Sequence, residues 1–238
     1  MPTLNLLYRR KYDINDDIQI VIPTVGEIID DEDAYYGLVS LLTAMPIDMM
    51  VPLSDAGVDF TKINDYELFL MLFPGVKTQD THLVFGNLDL TKFELATNSK
   101  NDTVVLWNQE TDVVIDRSIY GQIASTLRKI HHLEKNLRKP ANEESKKYML
   151  QRARDKQRRH KNRTTESQLE SLIVAMVNSE KYKYDFEGTR ELSIYQFNES
   201  VRQIINLVDY QNRMIGVYTG NIDSKHLSQD DLNWLTHK

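Results

Sequence analysis

Residues able to bind a metal, a phosphate or a proton occur in four places along this chain of 238 residues. Asp30-Asp31-Glu32-Asp33 and Asn221-Ile222-Asp223 offer hard oxygen ligands. A calcium loop of the EF-hand kind also needs a central glycine and a bidentate Glu at its far end, and neither run supplies them. Solvated acidic runs are the expectation. His131 and His132 are adjacent. On a helix they point ~100° apart, so they cannot form the i, i+4 pair that holds zinc. Polar groups favoured at a helix C-terminus account for them more simply. The other histidines have no Ser, Asp or Glu at a triad-like spacing. There is no Cys, no G-x-G-x-x-G, no Walker loop and no nucleophile elbow. The reading is a chain that is not an enzyme, with no catalytic, cofactor-binding or metal residue to assign.

The fourth place is the strongest binding signal. Gln151 to Arg163 reads QRARDKQRRHKNR. Arg152, Arg154, Lys156, Arg158, Arg159, Lys161 and Arg163 are candidates for electrostatic contact, against the single acid Asp155. Lysines and arginines that neutralise phosphates release counterions, which drives nucleic-acid binding. No aromatic residue lies within the segment to stack a base, which weakens a single-strand reading. A solvated face, or a clamp onto the acidic first half, is the favoured reading; a nucleic-acid-binding accessory protein is the alternative.

The charge distribution frames that choice. Residues 1–116 carry 20 Asp and Glu against 7 Lys and Arg; residues 117–163 carry 4 against 15; residues 164–238 carry 11 against 7. An acidic body, a basic middle and a weakly acidic end either attract one another or meet different partners. The 41% hydrophobic and 27% charged fractions suit an ordinary soluble globular protein. The N-terminus lacks the apolar run of a signal peptide. No run reaches the ~18 apolar residues of a membrane span. Three glycosylation sequons (at Asn101, Asn162 and Asn198) read as chance without such a signal.

These segments need elements to hold them. Asn64 with Glu67 three residues on is a capping-box variant. The run Leu68 to Phe73 that follows is apolar all round, so Gly57–Phe73 is expected to form the centre of the core, stopped by Pro74-Gly75. Alternation at Leu4, Leu6, Tyr8 and at Ile18, Ile20, Ile22 predicts a hairpin closed by Pro23. Thr24 and Glu27 form another capping box, opening a helix that the acidic run interrupts or bends before Tyr35 to Leu42. Pro46 to Ser54 reads as a helix with Gly57 beyond its end. Leu88–Leu95, Thr103–Asn108 and Val113–Ile115 read as a small antiparallel sheet. Asp116 then caps a helix with Ile119, Ile123, Leu127 and Ile130 on one stripe.

Ser167–Val177 reads as an amphipathic helix, and Leu192–Tyr218 as the longest one, ended by Gly220. Its seam runs through Ile194, Phe197, Val201, Ile204, Val208, Ile215 and Tyr218, with only Gln211 polar. Ser228 and Asp231 cap a last short helix carrying Leu232, Trp234 and Leu235. Packing of the seam within the chain, helped by the Ser167–Val177 helix and Trp234, is favoured. The alternative offers Phe197, Val201, Ile204, Val208 and Ile215 to a partner or a second copy. The fold class is α+β and mostly helical, with a small N-terminal hairpin and a short antiparallel sheet around a helical core. The division is 1–134 as a mixed core, 135–165 as a charged helix or tether, and 166–238 as a C-terminal helical region.

Three stretches together resemble a family of proteins from tailed bacteriophages and prophages of Gram-positive bacteria. They are Tyr12–Met49 (YDINDDIQIVIPTVGEI and DAYYGLVSLLTAMPIDM), Asp55–Phe69 (DAGVDFTKINDYELF) and Leu192–Trp234 (LSIYQFNESVRQI with GVYTGNIDSKHLSQDDLNW). Val113–Ile123 fits the same pattern. The resemblance implies a morphogenesis or virion protein linked to the tail, with other phage structural or tail proteins as partners. It implies residence in the host cytoplasm during assembly, or in the virion. It transfers no catalytic residue.

Overall fold

The computed structural model describes residues 5–98, 102–160, 167–223, 225, 227–228 and 230–235. The fold is α+β and mostly helical, with a two-stranded hairpin and a three-stranded antiparallel sheet set against the helices. The hairpin pairs β1 (Lys11–Asp13) with β2 (Gln19–Val21), Tyr12 opposite Ile20. Its first strand lies later than alternation predicts. Leu6 does reach the core, but the chain turns at Leu7 and Tyr8, and Tyr8 is exposed; Leu4 falls outside the described residues. The reason is Asn15. Its side chain accepts the N–H groups of Asp17 at 3.0 Å and Ile18 at 2.7 Å, which fixes the turn and hence the register.

Helices α1 (Val25–Ile29) and α2 (Glu32–Thr43) flank the acidic run, which breaks the helix as expected. The Thr24–Glu27 capping box is complete. α3 spans Met50–Asp55, later than the sequence suggests, because Asp48 accepts the Met45 N–H at 3.0 Å and holds residues 45–48 in a turn. Gly57 follows this helix at φ 74°, where a side chain would be strained.

α4 (Asp65–Val76) begins on the Asn64–Glu67 capping box. It runs through Pro74 instead of stopping there. Pro74 cannot donate to the Leu70 carbonyl, and the helix extends only two residues beyond it, to Val76. Nor is the helix enclosed all round: Phe69 and Phe73 are buried, whereas Met71 is 47% exposed. After the single turn α5 (His82–Phe85), Asp89 accepts from both the Thr91 N–H and hydroxyl. That draws Leu90–Lys92 into a 3-10 turn where alternation suggested a strand.

β3 (Glu94–Asn98), β4 (Thr103–Asn108) and β5 (Val113–Ile115) form the meander, Leu106 lying opposite both Leu95 and Ile115. α6 (Arg117–Ile130) starts where Asp116 accepts the Ile119 N–H at 2.8 Å, and buries Ile123, Leu127 and Ile130. α7 (Glu143–His160) opens on a reciprocal Asn142–Ser145 cap. α8 (Gln168–Val177) is capped by Ser167. The short α9 (Phe186–Glu191) was not foreseen; its signal is Asp185, which caps the Gly188 N–H at 2.7 Å. α10 (Ile194–Tyr218) opens on a Ser193–Gln196 capping box, and Gly220 follows its end at φ 73°. The last predicted helix is a 3-10 turn, Asp230–Leu232, beside which Trp234 stays 37% exposed.

One large apolar cluster joins early and late residues. Ile20, Leu38, Phe69, Phe73, Leu106 and Ile123 pack in the same core as Leu169, Ile173, Ile194 and Phe197. On the Phe69 face, Tyr120 stacks at 4.5 Å between ring centres. A second, smaller cluster holds Ile47, Leu53, Phe60 and Leu68, and Met149 and Leu150 of α7 close over it.

Candidate functional site

The basic helix α7 has two chemically different faces. On the inner one, Lys146 Nζ lies 2.8 Å from the Asp59 carboxylate and 5.9 Å from the centre of the Phe60 ring. Hydrogen bonds from Lys146, and then from Thr61, hold the Asp59 carboxyl well below the usual carboxylate range. Arg154 Nη2 lies 2.6 Å from Asp55. Arg154 is therefore a clamp onto the acidic half of the chain. Arg152, Lys156, Arg158 and Arg159 are exposed. Among the described residues they have no carboxylate partner. Lys161 and Arg163 lie outside the described residues.

The seam of α10 is also split. Phe197 is fully buried, and Val201 and Ile204 pack partly covered against the large cluster. Farther along the same stripe Val208 is 38% exposed, Ile215 60% and Tyr218 81%. The residues after the helix fold back on a different side of it. A side chain at Gly216 would meet Ile222, and Arg213 donates to the Asp231 carbonyl at 2.9 Å while pairing with its carboxylate at 3.3 Å. The distal stripe of Val208, Ile215 and Tyr218 is thereby left bare among the described residues.

The histidines serve local contacts. His131 ends α6 and hydrogen-bonds through Nε2 to the Tyr35 hydroxyl at 3.0 Å, with Tyr36 edge-on at 5.8 Å. Burial, then the neighbouring His132, lowers its pKa to about 4. The same burial raises the Tyr35 hydroxyl far above its ordinary value. The pair is therefore a neutral imidazole and a neutral phenol sharing one hydrogen bond. His132 stacks on Tyr195 and lies 3.5 Å from Glu199. His82 contacts Asp80 at 2.8 Å.

The acidic run is not uniformly solvated as expected. Glu32 accepts the Leu169 N–H at 3.0 Å and the Ser167 hydroxyl, so one acid of α2 caps the start of α8. Asp30 pairs with Arg190 at 3.6 Å. Among the described residues no cluster of three or more His, Asp or Glu is arranged to hold a metal. No described helix is long and apolar enough to cross a membrane.

Two residues outside the candidate set matter at α7. Lys146 supplies one of the clamps, and Tyr148 lies exposed one turn before Arg152. Their signal in the sequence was the helical spacing of 148, 152 and 156, which starts before the basic run itself.

Residues 158–238 match the family model described as the YomV second domain. That name is of the Bacillus phage and prophage type, so this part of the chain is similar to a phage-associated domain family. Leu192–Trp234, the third of the stretches carrying the sequence resemblance, lies within the match; Tyr12–Met49 and Asp55–Phe69 lie before it. The matched residues include α8, α9 and all of α10, and so the bare distal stripe. Compared with curated proteins and with solved structures, the chain finds no match.

Proposed function

We propose that this chain is a non-enzymatic interaction protein of a tailed phage, acting in tail morphogenesis through protein–protein contact, as an assembly factor or as a virion component. The observation that carries the reading is the distal stripe of α10. Ile215 and Tyr218 stand largely exposed, and Val208 in part, inside the part of the chain similar to a phage-associated domain family. An apolar helix stripe with this 3–4 spacing is the form in which a helix meets a groove or another helix. Its proximal half is anchored in the core through Phe197, so the distal half is presented by a rigid element. The partner is another phage structural or tail protein, met in the host cytoplasm during assembly.

Co-purification from infected cells, set beside mass spectrometry of purified virions, tests this. Recovery with tail intermediates but not with virions identifies an assembly factor. Recovery in virions identifies a structural component. Absence from both overturns the proposal.

A further inference from the structure

We propose that the outer face of α7 is a contact surface for single-stranded nucleic acid, with Arg152, Lys156 and Arg159 on the phosphates and Tyr148 stacked on a base. The argument starts from what the inner face already does. Met149 and Leu150 cover the smaller apolar cluster, and Lys146 and Arg154 are bound to Asp59 and Asp55. Those residues fix which way the helix faces. Periodicity of ~100° per residue then puts Tyr148, Arg152 and Arg159 on the opposite side together with Asp155, and Lys156 at the edge of that face beside Met149.

Tyr148 and the three cations are exposed, and Tyr148 reaches 66%. The three cations span ~10 Å of helix axis. The one carboxylate on this face, Asp155, accepts from Gln151 at 3.1 Å and is in no ion pair with them, while Asp55 and Asp59 lie against the other side of the same helix. Three cations against one carboxylate leave a net positive face, complementary to a polyanion. The aromatic ring selects among polyanions. A base stacks on it, which gives a nucleic acid a contact here beyond its phosphates. A membrane surface would call for several apolar side chains on this face, and Tyr148 has no such companion there. The aromatic lies before the basic run, one helical turn away from Arg152, and so outside the segment in which the sequence reading looked for one.

The test is fluorescence anisotropy of a labelled single-stranded oligonucleotide of mixed sequence, titrated with the full chain at 50 and 200 mM salt. Three phosphate contacts predict a slope of log K on log salt near −2, a roughly 15-fold loss between those concentrations. The Arg152→Gln, Lys156→Gln, Arg159→Gln triple variant should lose the binding and flatten the slope. Tyr148→Ala should weaken it at least about fivefold. Arg154→Gln, which removes the Asp55 clamp but leaves the row, should retain most of it. Circular dichroism checks folding, and the three single substitutions, each expected to weaken binding, replace the triple variant if it fails to fold. Absence of binding overturns the proposal. So does binding unchanged in the triple variant, or lost equally in Arg154→Gln. Displacement by poly-glutamate as effective as by unlabelled oligonucleotide would assign the surface to an acidic protein. Tighter binding of a duplex, with Tyr148→Ala silent, would overturn the single-strand assignment.

Discussion

Thr24 and Ser193, the N-cap residues of α1 and α10, face each other in an antiparallel bridge. The Val25 N–H donates to the Leu192 carbonyl at 2.9 Å, and the Ile194 N–H donates to the Pro23 carbonyl at 2.8 Å. Each cap is also closed by its own capping box. Two helix starts, far apart in the chain, thus satisfy their orphan donors partly through one another. Ser193 is buried there. Ser193→Ala should cost ~1 kcal/mol, within the 0.5–2 kcal/mol range of N-cap losses, measured by urea unfolding. A loss under ~0.3 kcal/mol would show that the backbone bridge alone holds the junction.

The same junction explains Gly26. A Cβ built there would lie 2.5 Å from Cγ of Arg190, closer than carbon atoms approach. Arg190 reaches across to Asp30. Gly26→Ala should therefore destabilise by ~1–3 kcal/mol through overpacking. The double change with Arg190→Ala should recover much of that, because the obstacle leaves with the side chain. Strict additivity of the two changes would contradict a direct clash.

Much of this was legible from local chemistry. The capping boxes at Thr24 and Asn64 and the Asp116 cap all mark helix starts, since a cap is a short-range contract between residues three apart; the Ser193–Gln196 box went unread, and the start of α10 was placed two residues early. β4 and β5 were legible as short runs of β-branched and large apolar residues on either side of the Gln109–Thr111 turn. What failed needed either a competing local bond or a distant neighbour. Asn15 and Asp89 redirected the backbone with their side chains and displaced β1 and β3 from where alternation puts them. The division of α10 into an anchored and a bare half depends on where the rest of the molecule ends, and its periodicity is the same in both halves. The two faces of α7 likewise become distinct only when Asp55 and Asp59 are in place.

His131 gives stability a pH dependence. Its folded-state pKa of about 4 lies below the ordinary 6.5, through burial first and His132 second. The groups around it are Tyr35, Tyr36 and His132, with Glu32 near Tyr36 and Glu199 near His132. A depressed histidine keeps the folded state neutral, so the unfolded state binds more protons between about 6.5 and 4. Its contribution is complete above pH 6.5 and is lost as pH falls through that window. Its size is on the order of 3 kcal/mol. His131→Gln, which can still accept from Tyr35, should flatten the pH profile of unfolding free energy across this window. An unchanged profile would assign the acid sensitivity elsewhere.

α4 provides a contrast within one helix. Phe73 is 3% exposed and packs edge-on against Phe69, whereas Met71 is 47% exposed. Phe73→Ala should cost ~3–5 kcal/mol, combining lost transfer energy with a cavity. Met71→Ala should stay within ~0.5 kcal/mol, as at other surface sites. Equal costs would mean that Met71 is covered in solution, and the partner responsible should then be sought by sedimentation.

The two halves of α10 separate folding from recognition. Phe197 is fully buried, so Phe197→Asp places an unpaired carboxylate in the core and should abolish folding. Val208, 38% exposed, and Ile215, 60% exposed, lie three turns and more farther along the seam. Val208→Asp with Ile215→Asp should unfold at the wild-type denaturant midpoint, within ~0.5 kcal/mol per change. The same variant should lose the phage protein that co-purifies with the wild type, since a charge in the middle of an apolar contact is left unpaired on binding. Sedimentation at low and high concentration distinguishes the partner from a second copy. A wild type that stays monomeric throughout fits capture of a different chain. A wild-type oligomer that the double variant converts to a folded monomer would make self-association the use of this stripe. A variant that unfolds would show the stripe to be covered within the chain, and the interaction surface would have to lie elsewhere.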